Sequence, residues 1–446
     1  MTARGVRAAL LLAAGAALAP AVAADDAASP EPTSISYYYD AFEQSVVRPA
    51  TRLFDPALLV RKLSGRRREA ANVDPSGEVR LPSTWWTPRA GHRPVSVDAM
   101  LRGPGPGTGP APGAWTVVRA KTEGVSKGFQ IKDAAGQRFA IKFDPPRYPE
   151  LATSADVVAA RLYWAAGFNV PDNTIETFRR EDLVIEEDAS YEVGGRRYPI
   201  TAEYLDALLT DVPPQPDGSY RVVASRYLAG RPLGEWRYDG RRKDDPEDLI
   251  PHQLRREVRG MWAVHAWLNN TDCSARNTLD MWVTENGRSF VRHHLIDFSG
   301  SLGSASIAPQ SMSGGAEYLL DYGTAARSFV TAGLLPFKWE HGVDPGIPSV
   351  GFIDATVFDP RGWRPFLPNP AFDEKTGTDV QWGARIVAGI SDAHIRAAVE
   401  LGRYSDPRAV EYLTRVLAER RDRLAEAWLT PEQAALARAA TAADVR

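Results

Sequence analysis

The chain has 446 residues, 44% of them hydrophobic and 24% charged, with 53 basic and 56 acidic side chains and a net charge of −3. Its length suggests roughly two to four domain-sized units, and its balance excludes wholesale disorder, a fibrous repeat and the basic footprint of a nucleic-acid binder. The single cysteine, Cys273, excludes an internal disulfide framework and a cysteine-based zinc site.

Residues 1–24 read as a signal peptide. Arg4 and Arg7 precede an apolar run from Ala8 to Ala19, Pro20 breaks it, and Ala21-Val22-Ala23-Ala24 offers small residues for cleavage before Asp25. The run falls short of the roughly 20 residues that span a bilayer. The expectation is an exported protein, periplasmic or extracellular, with no stable membrane insertion after cleavage. Loss of the two arginines takes the net charge from −3 to −5.

Residues 25–113 form an N-terminal extension. Asp25 to Ser34 is a polar leader. Tyr37, Tyr38, Tyr39 and Phe42 mark an aromatic element, and the stretch 35–101 is expected to wrap the small lobe or to recruit substrate. Gly103 to Gly113 is a Gly/Pro linker and the best domain boundary in the chain.

Strand patterns follow: Trp115 to Thr122, Phe129 to Asp133 and Arg138 to Phe143, three antiparallel strands joined by tight turns. Thr153 to Ala166 reads as a helix with Val158, Leu162 and Ala165 on one face and Gly167 as its stop. Further strands end at Tyr220 to Tyr227, and Leu228 to Pro232 is a break. Beyond residue 247 the chain is mostly helical. Leu254, Val258, Met261, Trp262, His265 and Leu268 recur at helical spacing. Asn286-Gly287 joins Leu279–Val283 to Phe290–Ile296 in a hairpin. Ser391 to Gly402, Asp406 to Trp428 and a last segment from Thr430-Pro431-Glu432 complete the helices.

The chemistry-bearing residues follow the order of parts in a protein-kinase-like enzyme. Gly124-x-x-x-Gly128 occupies the first turn, where glycines let backbone N–H groups approach phosphates, and Lys121 and Lys127 add positive charge. An ordinary hairpin turn needs the same glycines. Lys142 stands between apolar neighbours on the third strand, where a phosphate or an edge position would account for it. Asp156 is placed to orient that lysine, although Thr153-x-x-Asp156 also reads as a capping box and Glu150 competes as partner. Tyr227, at the end of the last strand before the break, is assigned to the nucleotide with Gly124, Gly128 and Lys142.

Asp272 and Asn277 form the sharpest pair. An Asp can orient or deprotonate an acceptor hydroxyl, and an Asn five residues on can ligate magnesium. Asp297, in Leu295-Ile296-Asp297-Phe298-Ser299-Gly300, emerges from the second hairpin strand as the other metal ligand; a carboxylate and an amide oxygen suit that hard cation. Other residues have plainer readings. His293 and His294 are adjacent on a strand and point to opposite faces, so one metal seldom takes both. His265 reads as a satisfied core histidine. Cys273 reads as a thiol with no base paired to it in sequence. Ser126 is a turn residue and an autophosphorylation candidate.

The segment Trp267 to Asn277 resembles the catalytic loop of HipA-like kinases, as do Tyr148-Pro149-Glu150-Leu151 and Gly167-Phe168-Asn169-Val170-Pro171. Asp297-Phe298-Ser299-Gly300 resembles the magnesium motif of protein kinases more broadly, and the exported location is similar to that of secreted kinases of the spore-coat CotH group. The resemblance covers residues 115–300. It implies ATP and Mg2+ as cofactors, Asp272 as catalytic acid–base, and Asn277 and Asp297 on the metal. Three departures stand out. Ser274 replaces the usual His of HipA-like loops, no His precedes Asp272, and Ser299 replaces Gly after Asp-Phe.

The expected fold class is α+β: a two-lobed protein-kinase-like fold with an N-terminal extension, its β-rich small lobe over residues 114–226 and its helical large lobe over 227–446. The expected activity is transfer of the ATP γ-phosphate to a hydroxyl acceptor, a protein Ser/Thr or a small molecule, with no nucleic-acid partner. The alternatives are a catalytically silent scaffold of the same fold, and nucleotidyl transfer.

Overall fold

A computed structural model describes residues 29–48, 68–121 and 127–442. The expected signal peptide, Gly124 and Ser126 lie outside the described residues. The helices are Tyr37–Phe42 (α1, continued by a wider turn over Glu43–Val47), Val97–Arg102 (α2), Leu151–Ala165 (α3), Ala202–Thr210 (α4), Arg256–Leu268 (α5), Tyr322–Val330 (α6), Pro370–Glu374 (α7), Gly377–Gly389 (α8), Asp392–Glu400 (α9), Pro407–Trp428 (α10) and Pro431–Ala442 (α11). The strands are Trp115–Ala120 (β1), Gly128–Lys132 (β2), Arg138–Lys142 (β3), Asn173–Phe178 (β4), Leu183–Val193 (β5), Arg196–Pro199 (β6), Tyr220–Arg226 (β7), Arg231–Gly234 (β8), Thr278–Glu285 (β9) and Arg288–Leu295 (β10).

Alternation along β1 to β3 sorts the side chains onto two faces. Val117, Phe129, Ile131, Phe139 and Ile141 are buried on one, where they pack with Leu205, Leu208 and Leu209 of α4. The opposite face carries the partly covered Gln130, Ala140 and Lys142. β1, β2 and β3 are antiparallel, as the turn signals require, and β7 adds to β3 in a seven-stranded sheet of order β4-β7-β3-β2-β1-β5-β6.

α3 is buried on almost every side. Asp144 accepts from the N–H groups of Ala152 and Thr153 and so caps the helix from outside. The Thr153-x-x-Asp156 box is therefore not the start of the helix; Asp156 lies inside it. The core residues of α3, among them Val158, Leu162 and Tyr163, join the same cluster as α5, α8 and α10. A helix that follows the small-lobe strands in sequence is thus packed into the large-lobe core.

The extension behaves differently from expectation. Trp85, Trp86, Val95 and Met100 are buried in that same large-lobe cluster, so residues 68–102 pack on the helical lobe and do not wrap the sheet. Aromatic area holds it there: Trp85 stacks on His293 at a centroid distance of 3.6 Å and meets Trp236 edge-on at 4.9 Å. The Gly/Pro segment is also anchored. The N–H of Gly107 donates to Asp172 and that of Ala111 to Asp133, both at 2.8 Å.

β9 and β10 pair in full register through Asn286-Gly287, with both turn residues at positive φ as a tight hairpin requires. β8 adds to β9 to complete a three-stranded sheet. No helix among the described residues is long and apolar enough to cross a membrane.

Candidate active site

Lys142 ends β3, and its side chain leaves the sheet toward α3. Its Nζ lies 3.3 Å from Asp156 Oδ2 and 2.9 Å from Asp297 Oδ1. Asp156 is buried and further held at Oδ1 by Asn173 Nδ2 at 2.9 Å and by the Phe298 N–H at 3.1 Å. Glu150, the competing partner, instead accepts from the Ser405 N–H. Burial alone would lower the Lys142 pKa, but Asp156 and Asp297 outweigh it and hold the ammonium above its usual range. Burial also works against the Asp297 carboxylate, yet Lys142 and then Lys121 keep it well below the usual range. Burial pushes Asp156, the deepest of the three, upward against the pull of Lys142.

The hairpin delivers the metal candidates. Thr278 pairs with Leu295, and the Ile296 N–H donates to the Asn277 carbonyl at 2.9 Å, which sets Asn277 beside Asp297. Asp297 adopts a left-handed backbone at φ 56°, the bend that turns its side chain out of the strand direction. Asn277 Nδ2 donates to the Asp272 carbonyl at 3.0 Å, which leaves its Oδ1 as the atom for a cation. Asp272 is exposed to solvent. Desolvation raises its pKa, opposed by hydrogen bonds from Asn277 and Ser274. A Cβ at Gly300 would lie 3.2 Å from Asp272 Cβ, so the end of the Asp297 loop abuts the Asp272 loop.

Two of the departures from the kinase patterns have functions here. Ser299 Oγ donates to Asp297 Oδ1 at 2.7 Å and also contacts Ser306 Oγ at 2.8 Å, so it holds the carboxylate. Ser274 hydrogen-bonds Asp272. The spacing Asp-x-Ser was the signal for the first, since a serine two residues on can bond an Asp side chain. Asn173 and Asp144 carried no signal, because their partners are remote in sequence.

Under the loop lies a buried polar group. Tyr163 of α3 bonds His265 Nδ1 at 2.7 Å, and Cys273 Sγ lies 3.3 Å from the same nitrogen. His265 Nε2 has no hydrogen-bond partner among the described residues, so this histidine is only half satisfied. Cys273 is buried, and it does have an imidazole neighbour, His265, eight residues upstream in the last turn of α5. Burial keeps both neutral: the thiol is pushed well above its usual range and the imidazole down to about 3. Both shifts disfavour the thiolate, the form a nucleophilic cysteine needs. His293 bonds Asp280 at 2.6 Å, a structural contact, and no cluster of three His, Cys, Asp or Glu side chains able to hold a metal occurs among the described residues.

Gly128 is not in the turn; it opens β2 opposite Lys142. A Cβ there would lie 2.1 Å from the Ile141 carbonyl oxygen, so the close approach of the strands itself demands glycine. Lys127 pairs with Asp211 at the surface, away from the cluster. Tyr227 is likewise not beside Lys142. Its N–H donates to the Arg138 carbonyl at 3.0 Å, and the Arg138 guanidinium covers its ring at 5.1 Å. That is the other end of β3, about 13 Å from Lys142 at the usual strand rise.

The fold is α+β, and its parts follow one another as a strand with Lys142, a helix with Asp156, a buried helix leading to the Asp272 loop, and a hairpin ending at Asp297. No family model matches the chain, and no similar curated protein was found. Among solved structures, the Helicobacter pylori proinflammatory kinase CtkA overlaps 71% of this chain and 92% of its own, at TM-score 0.35 and 11% identity. The Golgi casein kinase with Mn/ADP bound overlaps 72% of this chain and 76% of its own, at TM-score 0.24 and 9% identity. Likenesses this weak carry no argument, and the chemistry of the site rests on its own geometry.

Proposed function

We propose that the protein is an exported, HipA-like kinase that transfers the γ-phosphate of ATP to a hydroxyl acceptor. The observation that carries this reading is the meeting of Lys142, Asp156 and Asp297 in one cluster, with Asn277 and Asp272 hydrogen-bonded beside it. The donor set fits magnesium. Asp297 and the free Oδ1 of Asn277 are hard oxygen donors, and magnesium characteristically takes few protein ligands and completes its shell with water and phosphate oxygens. When bound, the metal neutralises charge on the phosphates. Lys142 would bind the phosphates, with Asp156 fixing its direction. Asp272, accessible yet raised in pKa, would orient the acceptor hydroxyl and take its proton at a carboxylate oxygen. The separation of Tyr227 from Lys142 along β3 leaves the length of a nucleotide between a base at one end and phosphates at the other. The charge–apolar–small pattern of residues 1–24 is what supports export of the mature chain.

The test uses mature protein with magnesium and ATP labelled at the γ-phosphate in one reaction and at the α-phosphate in another. Transfer of γ-label that Asp297→Ala and Asp272→Ala both abolish is the expected result. Transfer of α-label would mean nucleotidyl transfer, and no transfer with no thermal stabilisation by nucleotide would favour a silent scaffold.

A further inference from the structure

Three adjacent strands meet at one level beside the cluster. The Lys121 N–H donates to the Gly128 carbonyl at 2.9 Å, and Gly128 pairs in register with Lys142 on its other side. One position along, Ala120, Phe129 and Ile141 form the neighbouring row, and all three are buried in the core between the sheet and α4. In-register residues share a face and successive residues alternate, so Lys121 and Lys142 both belong to the opposite face, the one turned to Asp156 and Asp297. Their Cα atoms stand about 10 Å apart, two strand spacings. Gly128 stands between them on β2.

Electrostatics agree with this placement. Burial pushes the Lys121 pKa down, and Lys142, Asp297, Asp156 and Arg276 are among the charges that act on its ammonium. Lys127, six residues later in the same connection, pairs with Asp211.

We propose that Lys121 and Lys142 form a two-lysine cradle for the phosphates of the nucleotide, carried by the two strands that flank Gly128. The proposal rests on the nucleotide reading above and assigns Lys121 a direct part in phosphate binding. Two ammonium groups two strand spacings apart on one face suit a chain of phosphates better than a single anion, because each can meet a different phosphoryl group. The rival explanation is that Lys121 only balances the charge of Asp297.

Binding separates these cases without relying on turnover. The mature wild type, Lys121→Ala, Lys121→Arg, Lys127→Ala and Asp297→Ala would be titrated with magnesium-ATP and with magnesium-tripolyphosphate and followed by thermal stabilisation. Urea midpoints would check that each variant folds. The expected result is a loss of about tenfold or more in affinity for both probes in Lys121→Ala, the size of one charged hydrogen bond. Lys121→Arg should recover most of that loss, and Lys127→Ala should match wild type. Wild-type affinity in a folded Lys121→Ala would overturn the cradle while leaving the nucleotide reading intact. If wild type binds neither probe, both fail together. If Lys121→Ala and Lys127→Ala weaken binding equally, general surface charge explains the effect and the cradle is overturned.

Discussion

Two buried ion clusters in this molecule use the same groups to opposite ends. In the first, Asp379 lies between Arg256 and Arg259 at 3.2 and 3.3 Å, and both Asp379 and Arg259 are wholly removed from solvent. Thr376 adds an N–H to Asp379 at 2.8 Å, and the arginines spend further donors on the carbonyls of Arg68, Gly77 and Gln253. This cluster is closed, and it ties the extension to α5 and α8. In the second, Lys142 lies between Asp156 and Asp297, but Lys142 and Asp297 keep 15% and 29% of their side-chain surface. Its carboxylate oxygens face a cleft with Asn277 and Asp272 beside it. A closed cluster holds the fold, whereas an open one keeps charge available for something that arrives.

The largest expected effect falls on the closed cluster. Asp379→Ala strands two buried guanidinium groups and should cost about 3–5 kcal/mol of stability, read as a lower urea midpoint. A loss of less than about 1 kcal/mol would erase the distinction between the clusters.

Asp297→Ala should do the reverse. Lys142 keeps Asp156 as a one-to-one partner, so the urea midpoint should barely move, while phosphoryl transfer falls by at least about a hundredfold. A large stability loss with activity retained would make the open cluster structural too.

Acidification probes the buried histidines. Burial pushes His265 down to about 3 and His294 down to about 4. The unfolded chain takes up these protons nearer 6.5, so it binds more protons than the folded chain within that window. Their contribution is therefore complete above about pH 6.5 and is lost as pH falls, by up to about 1.4 kcal/mol per pH unit for each histidine. Unfolding free energies compared near pH 7 and pH 5 should show the decline, and an increase on acidification would contradict it.

The smallest effect sharpens the open cluster. Ser299→Ala removes the hydroxyl that holds Asp297 and should lower transfer by about tenfold, the size of a hydrogen bond to a charged group. An unchanged rate would show that Lys142 alone fixes the carboxylate.

Local signals carried much of the fold. The alternation in Trp115–Ala120 and Arg138–Lys142, the Asn286-Gly287 turn and the apolar spacing of Arg256–Leu268 each place an element from short-range chemistry. The site was legible for the same reason: Asp272, Asn277 and Asp297 lie within one loop and one hairpin, where spacing alone sets their neighbourhood. What the sequence left open was contact between distant segments. The cap of α3 comes from Asp144, the orienting contact on Asp156 from Asn173, and the partner of Cys273 from His265. Only packing placed Trp85 and Trp86 in the core shared by α3, α5, α8 and α10.

The two lysines of the first hairpin show where the line falls. By sequence Lys121 and Lys127 are equivalent cations flanking one turn, because composition records charge but not direction. Pairing across Gly128 turns Lys121 to the cleft, and a surface carboxylate from a remote helix end takes Lys127. The sequence by itself determined which residue types the site contains and which strands and helices carry them. Tertiary structure alone decided which of them face one another, since strand register and helix packing fix side-chain direction only once the distant segments have met.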